Sequence, residues 1–280
     1  MNINILQGDC IETLQKLNDK SINTCITSPP YWGLRDYGET DQLGLEDTPE
    51  EFVENLVKVF REVKRVLRDD GTVWLNLGDS YSSGGRTTTT NQTLRGDKDY
   101  GVTRPKPSKG IKPKDLIGIP WRVALALQQD GWYLRQDIIW HKPNPMPESV
   151  KDRCTKAHEY IFLLSKSPKY YFDNESIKED CVSKTGKRNK RSVWTVTTKP
   201  FKGAHFATFP MDLIEPCVLA GCPEGGTVLD PFGGSGTTGI VAVNHNRNAI
   251  LCELNKEYIE IAKKRIEDQV GMLANVEVQD

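Results

Sequence analysis

The feature that most constrains this chain lies near its end. A short apolar stretch at 227–229 runs into Asp230-Pro231-Phe232-Gly233-Gly234-Ser235-Gly236-Thr237-Thr238-Gly239, and a helical pattern continues to about residue 243. Gly234, Gly236 and Gly239 have the G-x-G-x-x-G spacing, after a strand and opening a helix. Glycines at those places permit a tight turn and close approach of backbone to a ligand. Glu253, 19 residues after Gly234, ends the next strand. An acid there can accept hydrogen bonds from ribose hydroxyls. Only 41 residues, 240 to 280, follow Gly239. They supply a helix, a strand and one more helix, so the rest of the sheet must come from upstream. A dinucleotide enzyme would ordinarily carry its nucleotide half at the other end, and Asp230-Pro-Phe departs from that fingerprint. No Lys-Ser/Thr pair follows the glycines, as a phosphate loop requires. An acid at this strand end suits a cofactor bearing a positive group near its nucleoside. The plain alternative is a turn that only packs helix on strand.

The upstream pattern supplies the remaining sheet. Strands are expected at 2–6, 22–27, 72–77, 133–140, 160–164, 170–172, 227–229 and 249–252. Helices are expected after Asp9, after Thr48-Pro49-Glu50-Glu51, and at 120–129, 211–219 and 256–269. Thr48 with Pro49 and Glu51 has the N-cap, first-turn proline and third-position glutamate of a helix start. Asp69-Asp70-Gly71 is expected to stop that helix. Strands alternating with helices imply a doubly wound, mostly parallel α/β sheet covered on both faces. Residues 82–114 break the pattern. They carry eight basic residues against two acidic ones, with much Gly, Thr, Ser and Pro, and are expected to form a long mobile loop.

Composition narrows the class. With 37% apolar and 27% charged residues in 280, the chain reads as an ordinary folded protein. Its net charge of −1 gives no global pull on a polyanion, so any basic surface must be local. Seven cysteines, at 10, 25, 154, 181, 217, 222 and 252, form no Cys-x-x-Cys. A disulfide framework or metal site is disfavoured and a reducing compartment fits. The N-terminal stretch is too short and polar for a signal peptide, and no apolar run could span a membrane, so a cytoplasmic location is expected.

The second informative segment is Thr27-Ser28-Pro29-Pro30-Tyr31-Trp32. Successive prolines fix φ and keep Ser28 and Pro29 extended. They contribute no N–H, so nearby carbonyls stay free to accept. Ser28 Oγ and a rigid carbonyl could then accept both N–H bonds of an amine, with Tyr31 offering a flat face to a planar base. That is equipment for reading a nucleobase drawn out of its helix. A proline-rich strand end with a buried Tyr-Trp pair is the structural alternative.

Together the two segments resemble the S-adenosylmethionine-dependent DNA amino-methyltransferases in their permuted β arrangement, where the Pro-Pro motif precedes the cofactor motif. The resemblance covers nearly the whole chain. It implies a Rossmann-like methyltransferase domain over 1–280, with a catalytic half at 1–172, a target-recognition insert at 173–204 and a cofactor-binding half at 205–280. It implies catalytic roles for Ser28, Pro29, Pro30 and Tyr31. It assigns the cofactor to Asp9, Thr208, Phe209, Asp230, Phe232, Gly233, Gly234, Ser235, Gly236, Thr237 and Glu253. Asp9 would meet the adenine amine and Glu253 the ribose hydroxyls. Where the family usually has proline, this chain has Phe206. Asp79 is either a base-pocket residue or a turn acid, and His141-Lys142-Pro143-Asn144 is similar to another pocket segment. Serine before Pro-Pro favours cytosine N4 over adenine N6 in this family. No Pro-Cys motif stands ready for attack on a ring carbon, and Cys25 reads as core.

Residues 183–203 carry seven basic residues and no acidic one. Such a run can neutralise phosphates, with strong salt dependence. Lys184, Lys187, Arg188, Lys190 and Arg191 are the DNA-binding candidates, with Trp194 a core anchor rather than a wedge. The partner implied is double-stranded DNA. A cognate restriction endonuclease and a homodimer stay open.

Overall fold

The computed structural model describes residues 1–33, 42–82, 111–181, 185–198, 209–271 and 274–279. Lys184, Thr208 and the 82–114 loop apart from its two ends lie outside them. In chain order the elements are β1 (Asn2–Gln7), α1 (Cys10–Gln15), β2 (Ile22–Thr27), α2 (Pro49–Val66), β3 (Leu67–Leu77), α3 (Ile119–Gln129), β4 (Tyr133–His141) and β5 (His158–Ser165). Then come β6 (Glu179–Asp180), β7 (Lys187–Arg188), β8 (Val193–Thr195), α4 (Met211–Gly221), β9 (Thr227–Asp230), α5 (Thr237–Asn244), β10 (Asn248–Glu253), α6 (Lys256–Val270) and β11 (Asn275–Gln279).

The helices start where the side chains direct. Thr48 Oγ1 accepts the Glu51 N–H and Glu51 Oε2 accepts the Thr48 N–H, a reciprocal capping box with Pro49 in the first turn. Behind it Phe52, Leu56, Val59, Phe60, Val63 and Val66 are buried. Each such side chain contributes about 1.5–3 kcal/mol of apolar burial. Asp9 caps α1 through Oδ1, which accepts from Ile11 N and Glu12 N.

Nine strands form one sheet in the order β11-β1-β10-β9-β2-β3-β5-β4-β8, with β6 and β7 a separate pair. From β11 to β3 every neighbour is parallel, and β5 alone runs against the rest of the sheet. Helices α1, α2 and α3 cover one face, over Phe52, Phe60 and Phe162. Helices α4, α5 and α6 cover the other, over Trp74, Ile214 and Ile240. From β9 the chain passes through α5 to β10 on one side, whereas from β2 it passes through α2 to β3 on the other. The boundary between β9 and β2 is therefore a topological switch point, and in open α/β sheets ligands sit beyond the carboxyl ends of such strands.

Two expectations change. Residues 170–172 are not a strand: Phe172 stacks on Trp74 with centroids 6.1 Å apart, and Tyr171 N–H bonds to Asp70 O at 2.9 Å. Their aromatic propensity serves packing against the sheet, not pairing. Asp69-Asp70-Gly71 does not end α2 in a turn. The backbone is already extended at Leu67, and the acids form an irregularity in β3 where register shifts between Ile22 and Thr24. Finally β6, β7, β8 and β11 were not legible, being short or exposed. No helix among the described residues is long and apolar enough to cross a membrane.

Candidate active site at the switch point

The two signature segments meet through one buried carboxylate. Asp230, at the end of β9, accepts from Thr27 Oγ1 on Oδ1 and from Thr238 Oγ1 on Oδ2, each at 2.6 Å. Phe232 N–H adds a third bond at 3.1 Å. Burial pushes the Asp230 pKa up to about 6, against the pull of these donors. Asp230 thus turns inward. It ties the residue before Ser28 to the helix after the glycine turn.

The turn itself divides its labour. A Cβ on Gly233 would lie 2.9 Å from Leu251 Cβ, and one on Gly236 2.9 Å from Ile266 Cδ1. Those two glycines let the turn press against β10 and α6. Gly234 differs: at φ +50 it has left-handed backbone, and a Cβ there would meet nothing nearer than Phe232 O at 3.8 Å. This is the point where backbone lies open to a ligand. Gly234 N–H donates to Glu253 Oε2 at 2.8 Å, and Asn255 N–H to Glu253 Oε1 at 3.0 Å. Burial raises the Glu253 pKa while these N–H bonds oppose the rise. A carboxylate has about four acceptor positions, so Glu253 retains capacity for further donors. Gly8 N–H bonds to Glu253 O at 3.0 Å, which brings Asp9 to the same strand-end row. Ser235 and Thr237 are buried, and their hydroxyls lie 2.7 and 2.8 Å from Arg265 Nη1, which also donates to Ser235 O. Those two side chains brace the turn from α6. Phe232 and Phe209 are both half-buried, packed on opposite faces of the sheet.

Across the seam, β2 delivers Ser28. Pro29 is buried; Ser28, Pro30 and Tyr31 are half-buried. Tyr31 Oη donates to Glu159 Oε2 at 2.8 Å. Burial, then the Glu159 charge, pushes the Tyr31 pKa well up, opposed by hydrogen bonds from the Ser28 hydroxyl and the Gly78 N–H. The ring lies so close to Gly78 that a Cβ there would fall 2.6 Å from Tyr31 Cε2. Glu159 also accepts from Lys142 Nζ and from Asn76 Nδ2, and Lys142 sits over the Trp140 ring at 4.1 Å. Trp32 is core, its Nε1 donating to Glu46 O. Cys25 is core too.

Asp79 is a turn acid. Its Oδ1 accepts from Ser80 N, Gly118 N and Ile119 N, and so caps α3, which has no side-chain cap of its own. Lys156 donates to the Asp79 carbonyl at 3.0 Å, with its pKa lowered by burial. Glu159, Asn76, Gly78 and Arg265 were not singled out from sequence, whereas Lys142 falls in the 141–144 segment that the resemblance pointed to. Because β5 is antiparallel, its first residues arrive at the same sheet end as the last residues of β2 and β3, which no local pattern reveals.

The basic run is less bare than its sequence implies. The β6–β7 pair sets Glu179 and Asp180 against it: Lys187 pairs with Asp180, while Arg188 and Arg191 both reach Glu179 Oε1. Lys190 lies 5.1 Å over the Trp194 ring, and Trp194 is buried as a core anchor. The Lys187 and Arg191 side chains remain 60% and 66% exposed, so their pairs are of the screened, exchangeable kind.

A doubly wound sheet with a ligand turn and a proline-fixed polar segment at one switch point defines a Rossmann-like group-transfer enzyme. The chain belongs to the DNA methylase family of N6 and N4 methyltransferases, whose model matches residues 22–264. It is 55% identical over 266 residues to the type II methyltransferase M.SmaI of Serratia marcescens, covering 94% of this chain and 90% of that one. It is 53% identical to M.Cfr9I of Citrobacter freundii, covering 95% and 88%. Among solved structures, TTHA0409 of Thermus thermophilus, described as a DNA modification methylase, matches at TM-score 0.67 with 26% identity over 99% of both chains. The cytosine-N4-specific PvuII DNA methyltransferase shares the fold at TM-score 0.70 and 21% identity, over 99% of this chain and 95% of that one.

Proposed function

We propose that this chain transfers a methyl group from S-adenosylmethionine to the exocyclic amine of cytosine, at N4, in a base extruded from double-stranded DNA. The observation that carries this reading is the Thr27–Asp230–Thr238 tie, which joins the residue before Ser28-Pro-Pro-Tyr to the helix after the glycine turn at the switch point. The residues present fit the cofactor. Gly234 leaves room at the turn, the Glu253 carboxylate suits ribose hydroxyls, Asp9 suits an adenine amine, and Phe232 offers apolar cover. When bound, S-adenosylmethionine supplies an electrophilic methyl on a sulfonium. A Thermus thermophilus relative was crystallised with it.

The chain's own work is positional and electrostatic. An aromatic amine is a weak nucleophile because its lone pair is delocalised into the ring. Ser28 Oγ and the Pro29 carbonyl accept its two N–H bonds, which localises that pair and aims it at the methyl. Tyr31 stacks on the base. Serine before Pro-Pro favours cytosine N4; the alternative is adenine N6. The β6–β8 region, with Lys187, Arg188, Lys190 and Arg191, contacts DNA as a target-recognition insert within a single methyltransferase domain. A cognate restriction endonuclease and a homodimer belong to the same proposal.

Duplex DNA incubated with methyl-labelled S-adenosylmethionine, digested to nucleosides and weighed by mass spectrometry, is expected to contain N4-methylcytosine. N6-methyladenine would move the assignment to the alternative, and no modified base on any duplex would remove the enzymatic reading. Ser28→Ala should slow transfer about 100-fold or more, the scale for losing one transition-state hydrogen bond, with cofactor affinity unchanged.

A further inference from the structure

Resting on the reading that a base is extruded from duplex DNA, we infer that Met146 is the side chain that enters the base stack beside the nucleotide being drawn out. Met146 is 85% exposed, more than any other large apolar side chain among the described residues, with Val193 next at 60%. A lone exposed apolar side chain is ordinary and decides nothing by itself. What distinguishes Met146 is how firmly its backbone is presented. It stands between Pro145 and Pro147. Pro147 confines Met146 to extended backbone, and neither proline has an N–H to draw the loop inward. Both flanks are anchored. Asn144 Nδ2 donates to Thr198 O at 3.1 Å, and Thr198 N–H donates back to Asn144 Oδ1 at 2.9 Å. On the other side the Glu148 carboxylate accepts from Arg153 Nη1 and Nη2, at 2.8 and 3.2 Å, and from the Lys156 N–H at 3.1 Å. The Lys142 N–H closes the base of the loop on Ala157 O at 2.8 Å. An apolar side chain is thus held out in water on a braced loop.

The loop leaves the sheet beside the candidate active site. β4 runs in the same direction as β2 and β3, so all three end on the same side of the sheet. Lys142, the first residue past β4, reaches Glu159 Oε1, and Glu159 Oε2 accepts the Tyr31 hydroxyl at 2.8 Å. Met146 follows four residues later, a span of at most about 14 Å from Lys142. Residues 141–158 carry four cations, Lys142, Lys151, Arg153 and Lys156, against Glu148 and Asp152, a balance that suits nearby phosphates. Drawing a base out of a duplex costs its pairing and stacking. An apolar wedge, methionine among those used, fills the opened step and offsets part of that cost. Methionine fits an irregular gap because it is unbranched and turns about three bonds. One apolar side chain flanked by Asn144, Glu148 and Lys151 gives a protein partner no area to bury, which leaves the base stack as its partner.

The site that the wild-type protein methylates is first mapped on plasmid DNA, then synthesised as a duplex, once fully paired and once with the target base mispaired. Single-turnover methyl transfer is measured for wild type, Met146→Ala and Met146→Leu, with S-adenosylmethionine affinity alongside. On the paired duplex Met146→Ala is expected to slow transfer about 10-fold. Met146→Leu keeps an apolar wedge and should stay within about threefold of wild type. On the mispaired duplex, where extrusion is cheap, Met146→Ala should come within about twofold of wild type. Cofactor affinity should stay within about twofold throughout. Met146→Ala as fast as wild type on the paired duplex would overturn the assignment. So would an equal loss on both duplexes, because that loss arises after extrusion. Met146 lies in water, so both variants should unfold at the wild-type temperature and the rates compare folded proteins. A wild-type protein that leaves plasmid DNA unmethylated would remove the enzymatic reading and this assignment with it, an outcome seen before any variant is made.

Discussion

Replacing Asp230 by Asn tests whether the carboxylate joining the two halves of the site is held against its own solvation preference. Its pKa stands at about 6 instead of 3.8 because burial disfavours the charge. At ~1.4 kcal/mol per pH unit that rise amounts to ~3 kcal/mol. The folded state binds this proton more tightly than the unfolded chain. The stabilisation from Asp230 is therefore complete below 3.8 and is lost as pH rises through about 6. Asparagine has no such titration. The stability of Asp230→Asn relative to wild type should climb by ~3 kcal/mol between roughly pH 3.5 and pH 7, whatever its value at either end. Urea unfolding followed by fluorescence of the six tryptophans, at matched pH for both proteins, yields that difference with other titrating groups cancelled. A difference that stays level, or falls, across this range would refute a buried, charge-opposed Asp230. Asparagine can accept on only one of the two oxygens that Thr27 and Thr238 occupy. Methyl transfer at neutral pH is thus expected to drop even where stability gains.

Gly236→Ala should destabilise by about 1–3 kcal/mol, because the left-handed φ of +76 penalises any side chain and the Cβ would press on Ile266; thermal unfolding measures it. Arg265→Met keeps the stem but removes the bonds to Ser235 and Thr237, and should weaken S-adenosylmethionine binding about tenfold by calorimetry with DNA affinity unchanged. Neutralising Lys187, Arg188, Lys190 and Arg191 should weaken DNA binding and flatten its salt slope. Glu179→Gln with Asp180→Asn should do the opposite by freeing Lys187, Arg188 and Arg191, and an unchanged slope in both would remove that region from the phosphate interface.

Much of the frame was legible because it is written in local chemistry. Thr48, Pro49 and Glu51 announce α2 through side-chain bonds that span a few residues, and Gly234 to Gly239 announce the β9–α5 turn through glycine spacing. What escaped depends on partners remote in the chain. Arg265 of α6, which meets the Ser235 and Thr237 hydroxyls, lies too far along the chain to be read from the turn. The bond from Thr27 to Asp230 crosses the seam between strands far apart in the chain, and nothing near Asp230 in the sequence announces it. The 183–203 run reads as uncompensated positive charge, since the neutralising Glu179 and Asp180 fall just outside it and fold back as β6. Glu159 carries no motif at all; only the reversed direction of β5 brings it to Tyr31.

The place of β1 has a consequence for biosynthesis. Among the described residues its sheet neighbours are β10 and β11, made long after it. The six residues of β1 must wait, unpaired, until β10 has emerged. Pairings this remote are slow to form. The half that carries the glycine turn should therefore close late, and a nascent chain stalled before residue 248 would hold an orphaned strand with nothing to dock on.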